Sequence, residues 1–216
     1  PEEVEKITGI DKDLLENMKR EFEYWYPNDQ RHTAVGHITN HLTFFIFNHI
    51  AIFPAKLWPR QIVTNGSVLM EGAKMSKSFG NIIPLVEGID KYGADPLRLG
   101  ILATAELLQD ADFSPNLARS MRDRLERLYR FVEEIAETKG RKVEKKSLTQ
   151  PDRWMLSRIQ THKRMATEAM DKLAVRKAIH SVLYELDQDF QWYQKRSAAQ
   201  KGQRTAATAY VSSRVL

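Results

Sequence analysis

Residues 71–81 of this chain read EGAKMSKSFGN. Two lysines, Lys74 and Lys77, lie three positions apart, and the hydroxyls of Ser76 and Ser78 lie between and after them. A glycine flanks the segment on each side, so its backbone can bend freely. Ammonium groups, hydroxyls and backbone N–H groups together can wrap a polyphosphate. For an arbitrary Lys-x-x-Lys the simpler interpretation is a solvated surface loop.

The composition limits the class of protein. The chain has 216 residues, 42% of them hydrophobic, which is enough for one large or two modest packed domains. It has no cysteine, which excludes disulfides and thiolate-bound zinc and favours a reducing cytoplasm. No apolar run is long enough to span a bilayer, and the acidic N-terminus does not resemble a signal peptide. A start at proline suggests a piece of a longer protein.

The charge is unevenly distributed. Residues 1–113 carry 11 Lys and Arg against 16 Asp and Glu, whereas residues 114–216 carry 22 against 12. The basic second half indicates contact with a polyanion. Solvated helix faces explain the same excess equally well.

Helices and short strands alternate in the first half. We expect a helical lead-in capped by Asp11, an extended segment or short strand at residues 22–26, and a buried helix at residues 40–52 that ends before a proline. A β-branched run at 61–64 predicts a strand that ends in an Asn-Gly turn, with residues 68–70 as the returning strand or the edge of the loop that follows. A helix at about residues 85–92 precedes another, with Asp95 as its N-cap.

The second half is predicted to be helical throughout. Ser114 and a proline open a long amphipathic helix, and a basic linker follows at residues 139–150. Two further long helices begin near residues 151 and 175, and a fourth begins near Gln203. Long helices with short links predict an antiparallel bundle. The predicted domains are residues 1–113 and 114–216, and the fold class is α/β followed by all-α.

The ordered set of motifs resembles a known family. The matching segments are NHLTFFIFNH at 40–49, WP at 58–59, NG at 65–66, KMSKS at 74–78, GN at 80–81 and GADPLRL at 93–99. KMSKS resembles the loop that closes over ATP in class I aminoacyl-tRNA synthetases. The remaining segments resemble leucyl-tRNA synthetases of the archaeal and eukaryotic type. The resemblance implies the C-terminal half of a Rossmann-type catalytic domain, followed by a helical bundle of the anticodon-binding type.

The resemblance also implies an activity and its partners. A protein of this family forms leucyl-adenylate from leucine and ATP, with Mg²⁺ accompanying the ATP, and then esterifies its tRNA(Leu). We expect a cytoplasmic protein that is a monomer when full length and makes no membrane contact. By the same resemblance Lys77 and Lys74 are catalytic, and the whole loop, with Met75, Ser76 and Ser78, contacts ATP. A cation there stabilises charge on the departing pyrophosphate, and leucine's carboxylate needs no general base.

Three polar residues before the apolar helix complete the expected site. His37 and His41, four positions apart, and Asn40 are assigned to the adenosine and leucine end by the resemblance, and two histidines alone do not predict a metal site. Many relatives place an acid for the ATP ribose at the position of Gly36, and this chain lacks it. His49 is assigned to packing.

Tryptophans and arginines of the second half admit two interpretations. The arginines of the long helix and the basic residues of the linker could contact tRNA phosphates. Alternatively, the helix arginines form intrahelical pairs such as Asp123–Arg127 and Glu126–Arg130. These basic residues are Arg119, Arg122, Arg127, Arg130, Arg141, Lys142, Lys145 and Lys146. Trp154, Trp192 and Tyr193 are assigned to packing in preference to base stacking.

Alternatives remain open. An isoleucine, valine or methionine ligase shares the loop, although the 40–49 segment argues against it. A non-catalytic tRNA-binding module has no need of a pyrophosphate clamp, and a purely structural helical protein leaves the loop unexplained. The family's first signature, His-x-Gly-His, and its editing domain are not in this sequence. We therefore expect that the 216 residues alone do not aminoacylate tRNA.

Overall fold

The computed structural model describes residues 2–136, 143, 145–198 and 206–215. It divides into two compact units, Pro1–Gly66 and Ser67–Leu216. The predicted boundary between residues 113 and 114 lies inside the second unit and stays a prediction about the family's domains. Across the described residues, no helix combines the length and the apolar content that crossing a bilayer requires.

The first unit is mostly helical with one small sheet. Its elements are α1 (Glu2–Thr8), α2 (Lys12–Trp25), β1 (Arg31–Ala34), α3 (Thr43–Ile52) and β2 (Ile62–Asn65). The carboxylate of Asp11 caps α2, as predicted, by accepting from the N–H groups of Asp13 and Leu14. β1 and β2 pair in parallel. A 3-10 turn and a π-helical turn join β1 to α3.

Aromatic rings fill the small core of this unit. The ring of His49 lies 4.3 Å from that of Phe45 and 6.0 Å from that of Tyr26. Its Nδ1 donates to the Phe45 carbonyl over 2.7 Å, so its Nε2 is free to accept from the Tyr26 hydroxyl at 3.4 Å. Because His49 is buried and both its nitrogens have internal partners, the structure agrees with its assignment to packing.

The second unit begins with a three-stranded sheet. Its strands are β3 (Val68–Met70), β4 (Ala73–Lys74) and β5 (Ala111–Phe113), in the order β4-β3-β5. β4 is antiparallel to β3, and β5 is parallel to it. Glu71 and Gly72 make the turn between β3 and β4 with φ of 50° and 79°. Two successive positive φ values match the twist of a tight hairpin.

Helices make up the rest of the second unit. They are α4 (Leu85–Tyr92), α5 (Ala94–Thr104), α6 (Pro115–Ala136), α7 (Gln150–Asp171), α8 (Val175–His180), α9 (Leu186–Ala198) and α10 (Ala206–Val215). A π-helical turn, Ser181–Glu185, continues α8 into α9. Ser114 accepts from Leu117 N–H at the start of α6, as predicted. The start of the fourth predicted helix at Gln203 lies outside the described residues.

Two apolar clusters hold this unit together. The sheet cluster contains Met70, Tyr92, Leu97, Phe113 and Ala118. The bundle cluster contains Met155, Ile159, Leu186, Phe190, Tyr193 and Val211, from α7, α9 and α10. Burying side chains of this size contributes about 1.5–3 kcal/mol each, so both clusters stabilise the unit.

Buried polar groups in the bundle are paired. Asp152 accepts from the N–H and hydroxyl of Thr149, at 2.8 and 2.7 Å, and from the Tyr193 hydroxyl at 2.6 Å. Burial raises the pKa of the Tyr193 phenol well above its usual range, and the hydrogen bond to the charged Asp152 raises it further. The Nε2 of His162 lies 2.8 Å from Asp189, and its Nδ1 lies 3.0 Å from the Ser181 hydroxyl.

The structure corrects four predictions. Residues 22–25 are helical, because α2 continues to Trp25. The apolar helix begins at Thr43 and is mostly exposed in this chain, since of residues 38–52 only Leu42 and His49 are buried. The Asn-Gly at 65–66 is not a hairpin turn, because β2 and β3 belong to different sheets. α5 begins at Ala94, so Asp95 lies inside its first turn.

Candidate phosphate-binding loop

The predicted loop is one continuous feature of the second unit. Lys74 ends β4, and a 3-10 turn spans Lys77–Phe79. Gly80 follows with a left-handed φ of 65°, a conformation that glycine adopts without strain. The chain therefore leaves the sheet, makes a tight turn and reverses within a few residues. This places both lysines and both serines of the motif on a single loop.

Exposure divides the loop into an anchor and a free face. Met75 is half-buried and packs against the sheet cluster. Lys74, Lys77 and Ser78 are exposed. Within the described part of the chain, neither ammonium group makes an ion pair with a carboxylate. Two cations without internal counter-ions are suited to an anionic ligand.

Side-chain hydrogen bonds close the loop on itself. The amide of Asn81 accepts from Ser76 N–H at 2.8 Å and donates to the Lys74 carbonyl at 3.1 Å. The hydroxyls of Ser76 and Ser78 lie 2.6 Å apart, on either side of Lys77. Sequence reasoning assigned no role to Asn81. The Gly-Asn pair of the motif was the available signal, but its partners are backbone atoms that a sequence does not reveal.

Two aspartates fix the hairpin that carries the loop. Asp110 accepts from Ser67 N–H at 2.6 Å, and Asp112 accepts from Gly72 N–H at 2.9 Å. Both bonds join the start of β5 to the ends of β3. The carboxylates of Asp110 and Asp112 thus bind the backbone of the hairpin, and neither forms an ion pair with Lys74 or Lys77 among the described residues.

The other predicted site residues belong to the first unit. The His37 and His41 rings lie 6.2 Å apart, edge to face, and both residues are exposed, as is Asn40. The guanidinium of Arg31 donates to His41 Nε2 at 2.6 Å and lies over the Phe45 ring. Because Nε2 accepts, the hydrogen of the neutral ring is on Nδ1. The structure therefore brings the two histidines together as a pair.

Space for a side chain is present at Gly36, where many relatives carry an acid for the ATP ribose. Gly36 is exposed, and a Cβ built there meets no heavy atom within 4 Å. Packing therefore does not explain the absence of a side chain. Among residues 2–136, 143, 145–198 and 206–215, no three His, Cys, Asp or Glu side chains are grouped so as to hold a metal ion.

The arginines of α6 have partners close by. Arg119 donates to Asn116 at 2.6 Å, Arg122 to the Lys91 carbonyl at 3.0 Å, and Arg130 to the backbone of Glu126 at 3.4 Å. All three are exposed, as is Arg127. Neither of the two suggested carboxylate pairs is among the ion pairs of the described residues. Arg141 and Lys142 lie outside the described residues, as does the side chain of Lys145, and Lys146 is exposed.

The bundle tryptophans pack on each other. The rings of Trp154 and Trp192 are 4.5 Å apart, and the Arg196 guanidinium lies 4.7 Å above the Trp192 ring. Tyr193 is 1% exposed. The burial of Tyr193 and the ring contact of Trp154 agree with their assignment to packing, whereas Trp192 is 42% exposed and makes its ring contacts at the surface.

Two family models match the chain in sequence order. Residues 6–125 match the family described as tRNA synthetases class I (M), and residues 152–216 match the anticodon-binding domain of tRNA ligase. The first match contains the whole Lys74–Ser78 loop, and the second contains the helices from α7 onward.

Curated relatives carry the name leucine–tRNA ligase. The protein of Methanothrix thermoacetophila is 44% identical over 91% of this chain, and that of Methanocaldococcus jannaschii is 46% identical over 90%. The protein of Pyrococcus furiosus is 41% identical over 97%. The chain spans about a fifth of the length of each relative, at 20–21%. The resemblance to leucyl-tRNA synthetases is confirmed by these matches.

Solved structures share the fold. A LeuRS–tRNA–LeuAMS ternary complex from Agrobacterium radiobacter K84 matches with a TM-score of 0.69 and 18% identity, over 88% of this chain and 24% of its own. A Mycobacterium tuberculosis methionyl-tRNA synthetase in complex with methionyl-adenylate matches with a TM-score of 0.70 and 19% identity, over 88% and 40%. The predicted fold class is confirmed. The class I family model covers more than half of the sequence, and the chain belongs to the class I tRNA synthetases.

Proposed function

We propose that this chain is the KMSKS-bearing part of a leucine–tRNA ligase and that its Lys74–Ser78 loop binds the phosphates of ATP during leucine activation. One observation carries the proposal: the loop is closed by its own hydrogen bonds, and both exposed lysines lack a carboxylate partner among the described residues. The names of the relatives supply leucine and tRNA(Leu) as the substrates.

The chemistry that this loop serves is adenylate formation. A carboxylate oxygen of leucine forms a bond to the α-phosphorus of ATP, and the bond from that phosphorus to the bridging oxygen breaks. The electron pair leaves with pyrophosphate, where negative charge accumulates. An ammonium group held beside that charge stabilises the transition state more than the ground state. We assign this role to Lys77 first and to Lys74 second.

The remaining groups position the substrates. His37, Asn40 and His41 are proposed to border the adenosine and the leucine, with His41 offering its Nδ1–H. The described residues offer no cluster of metal ligands, so Mg²⁺ is proposed to enter on the phosphate oxygens of ATP. The exposed arginines of α6 and the basic linker are proposed to contact phosphates of tRNA(Leu). A monomeric, cytoplasmic full-length protein completes the proposal.

Leucine-dependent exchange of pyrophosphate into ATP tests the proposal in the full-length protein. We expect exchange with leucine and much less with isoleucine, valine or methionine. Lys77→Ala should reduce the exchange rate by about 100- to 1,000-fold, the usual cost of removing one group that stabilises transition-state charge. Lys163→Ala, on the exposed side of α7, is the matched control and should retain the wild-type rate. Equal rates for Lys77→Ala and the control would contradict the role of the loop.

A second candidate is a tRNA-binding module without catalysis. The basic second half and the missing acid at Gly36 favour it. It predicts salt-dependent tRNA binding by the full-length protein with no exchange for any amino acid. Under the leading proposal the 216 residues alone are inactive and the full-length protein is active. Exchange by the isolated 216 residues would overturn that expectation.

A further inference from the structure

We propose that Asn81 is a positioning residue for leucine activation, because its carboxamide holds the Lys74–Ser78 loop in the form that presents Lys77 to the leaving pyrophosphate. The inference rests on the proposed function and adds to it a residue outside the KMSKS motif. Both side-chain hydrogen bonds of Asn81 in the described structure go to the backbone of the loop, so it acts through the geometry of other residues.

The two hydrogen bonds of Asn81 link it to both sides of Met75. Its Oδ1 accepts from the N–H of Ser76, five residues earlier, and its Nδ2 donates to the carbonyl of Lys74, seven residues earlier. One rigid amide therefore fixes the separation of two backbone groups. The peptide segment that leads into Lys77 is held from the side, at the point where the strand ends and the 3-10 turn begins.

Only an amide of this length satisfies both partners. It offers one acceptor and two donors at a fixed spacing. Aspartate would still accept from Ser76 N–H but would place an anionic oxygen against the Lys74 carbonyl. Alanine would leave both backbone groups without this partner. Glutamine is one methylene longer, and its amide would overshoot the short loop.

The contact between the Ser76 and Ser78 hydroxyls, at 2.6 Å, joins two residues of the loop to each other and does not tie them back to the strand, as Asn81 does. The backbone bonds of the 3-10 turn, from Phe79 N–H and Gly80 N–H, are long, at 3.2 and 3.3 Å. Met75 anchors the start of the loop through apolar contact. Without Asn81 the backbone from Ser76 to Gly80 gains conformational freedom. Lys77 would then occupy its productive position for a smaller fraction of the time.

Such a defect affects one chemical step. Positioning errors of about 1 Å commonly cost about 100-fold in rate, because electrostatic stabilisation depends on preorganised groups. The loop is needed where pyrophosphate leaves. In the second step the ribose hydroxyl of tRNA attacks the carbonyl carbon of leucyl-adenylate and AMP leaves, so no pyrophosphate is present. Loss of Asn81 should slow activation and leave transfer unchanged.

The test compares three variants of the full-length protein. For Asn81→Ala we expect kcat for leucine-dependent pyrophosphate exchange to fall about 10- to 100-fold, with the KM for leucine unchanged. The kcat of Asn81→Asp should fall at least as far as that of Asn81→Ala. Transfer of leucine to tRNA from purified leucyl-adenylate should keep its wild-type rate in both. Asn17→Ala removes an exposed asparagine from α2, whose partner Arg20 has no assigned role, and is the matched control, which should retain both rates.

A double-mutant cycle tests whether Asn81 acts through Lys77. In a Lys77→Ala background, Asn81→Ala should cost less than threefold, because the group that it positions is already absent. Independent, multiplying effects of the two changes would overturn the inference, as would an equal loss in the transfer step.

Hydrogen exchange separates this inference from the proposed function. If the wild-type protein shows no leucine-dependent pyrophosphate exchange, the proposed function fails. The positioning claim is then decided by the amide hydrogen of Ser76, which should exchange at least tenfold faster in Asn81→Ala than in Asn17→Ala. Equal exchange rates would show that Asn81 does not hold the loop.

Discussion

Phe44, Phe47 and Ile52 of α3 are 64–69% exposed, whereas Met155 and Ile159 of α7 are 0% and 7% exposed. Both helices carry large apolar side chains, but among the described residues those of α3 are mostly exposed and those of α7 are packed against α9 and α10. The second unit contains its own core, and the exposed apolar surface of α3 is of the kind that marks an interaction site.

The largest effect is expected when the two units are expressed separately. Residues 67–216 should unfold in one cooperative transition, because two buried clusters hold their elements. Residues 1–66 should show no cooperative transition and should bind hydrophobic dyes, because few of their apolar side chains are buried. Calorimetry and dye fluorescence measure both. A sharp thermal transition for residues 1–66 would contradict the expectation that this unit lacks a stable core of its own.

Truncation of one side chain in each unit measures how much burial contributes to stability there. Met155→Ala should lower the free energy of unfolding by about 2–5 kcal/mol, since the side chain is fully buried in the bundle cluster. Phe47→Ala should change it by less than about 0.5 kcal/mol, since the ring is exposed. Urea denaturation of the whole chain provides both values. Similar costs for the two variants would contradict the burial pattern.

An ion pair of the second unit should contribute more to stability than an ion pair of the first unit. Asp189 accepts from Arg158 at 2.5 Å and lies 2.8 Å from His162, which is 1% exposed. Asp189→Ala should cost about 1–3 kcal/mol, because it removes a charged hydrogen-bond partner from both Arg158 and the buried His162. Asp29→Ala breaks the Asp29–Arg60 pair of the first unit, at 2.8 Å, and should have no measurable effect, since both side chains are exposed. Urea denaturation of both variants measures the two changes in the free energy of unfolding, and equal changes would contradict the expected difference.

The smallest effect concerns alkaline pH. The pKa of Tyr193 is raised in the folded chain, whereas an unfolded tyrosine ionises near pH 10. The unfolded chain therefore loses this proton first, and stability is kept below about pH 10 and falls above it by about 1.4 kcal/mol per pH unit. Tyr193→Phe should flatten this fall. Tyr129→Phe, at an exposed position, should not, and an unchanged slope in Tyr193→Phe would exclude Tyr193 as its source.

Local chemistry was the part of the structure that sequence could predict. The Lys74–Ser78 loop is contiguous, so the sequence shows the whole motif, and its phosphate role follows from the family resemblance and stays a prediction. The caps at Asp11 and Ser114 follow from hydrogen-bonding side chains next to helices. The leucyl assignment came from several segments in a fixed order, which the relatives confirm.

Predictions failed where the partner of a residue decides its state. The apolar run of α3 predicted burial, but among the described residues most of its side chains are exposed, because burial depends on what packs against a helix and not on the helix sequence alone. The Asn-Gly turn after β2 indicated a hairpin, yet β3 pairs with β4 and β5 instead. The aromatic residues at 22–25 alternate as in a strand, but they lie at the end of α2, which Asp11 caps at its start. Extending an existing helix by a few residues needs no new nucleation, so these residues are helical.

The parallel pairing of β3 with β5 has a consequence for the order of folding. Val68 pairs with Ala111, and Gly72 is held by Asp112, 40 residues further along the chain. The Lys74–Ser78 loop therefore depends on contacts of long sequence separation, which form slowly compared with local turns. During synthesis, which proceeds from the N-terminus, the ribosome has released the complete KMSKS motif well before the strand that fixes its hairpin. The loop therefore reaches its final geometry late in folding, although its residues are translated early.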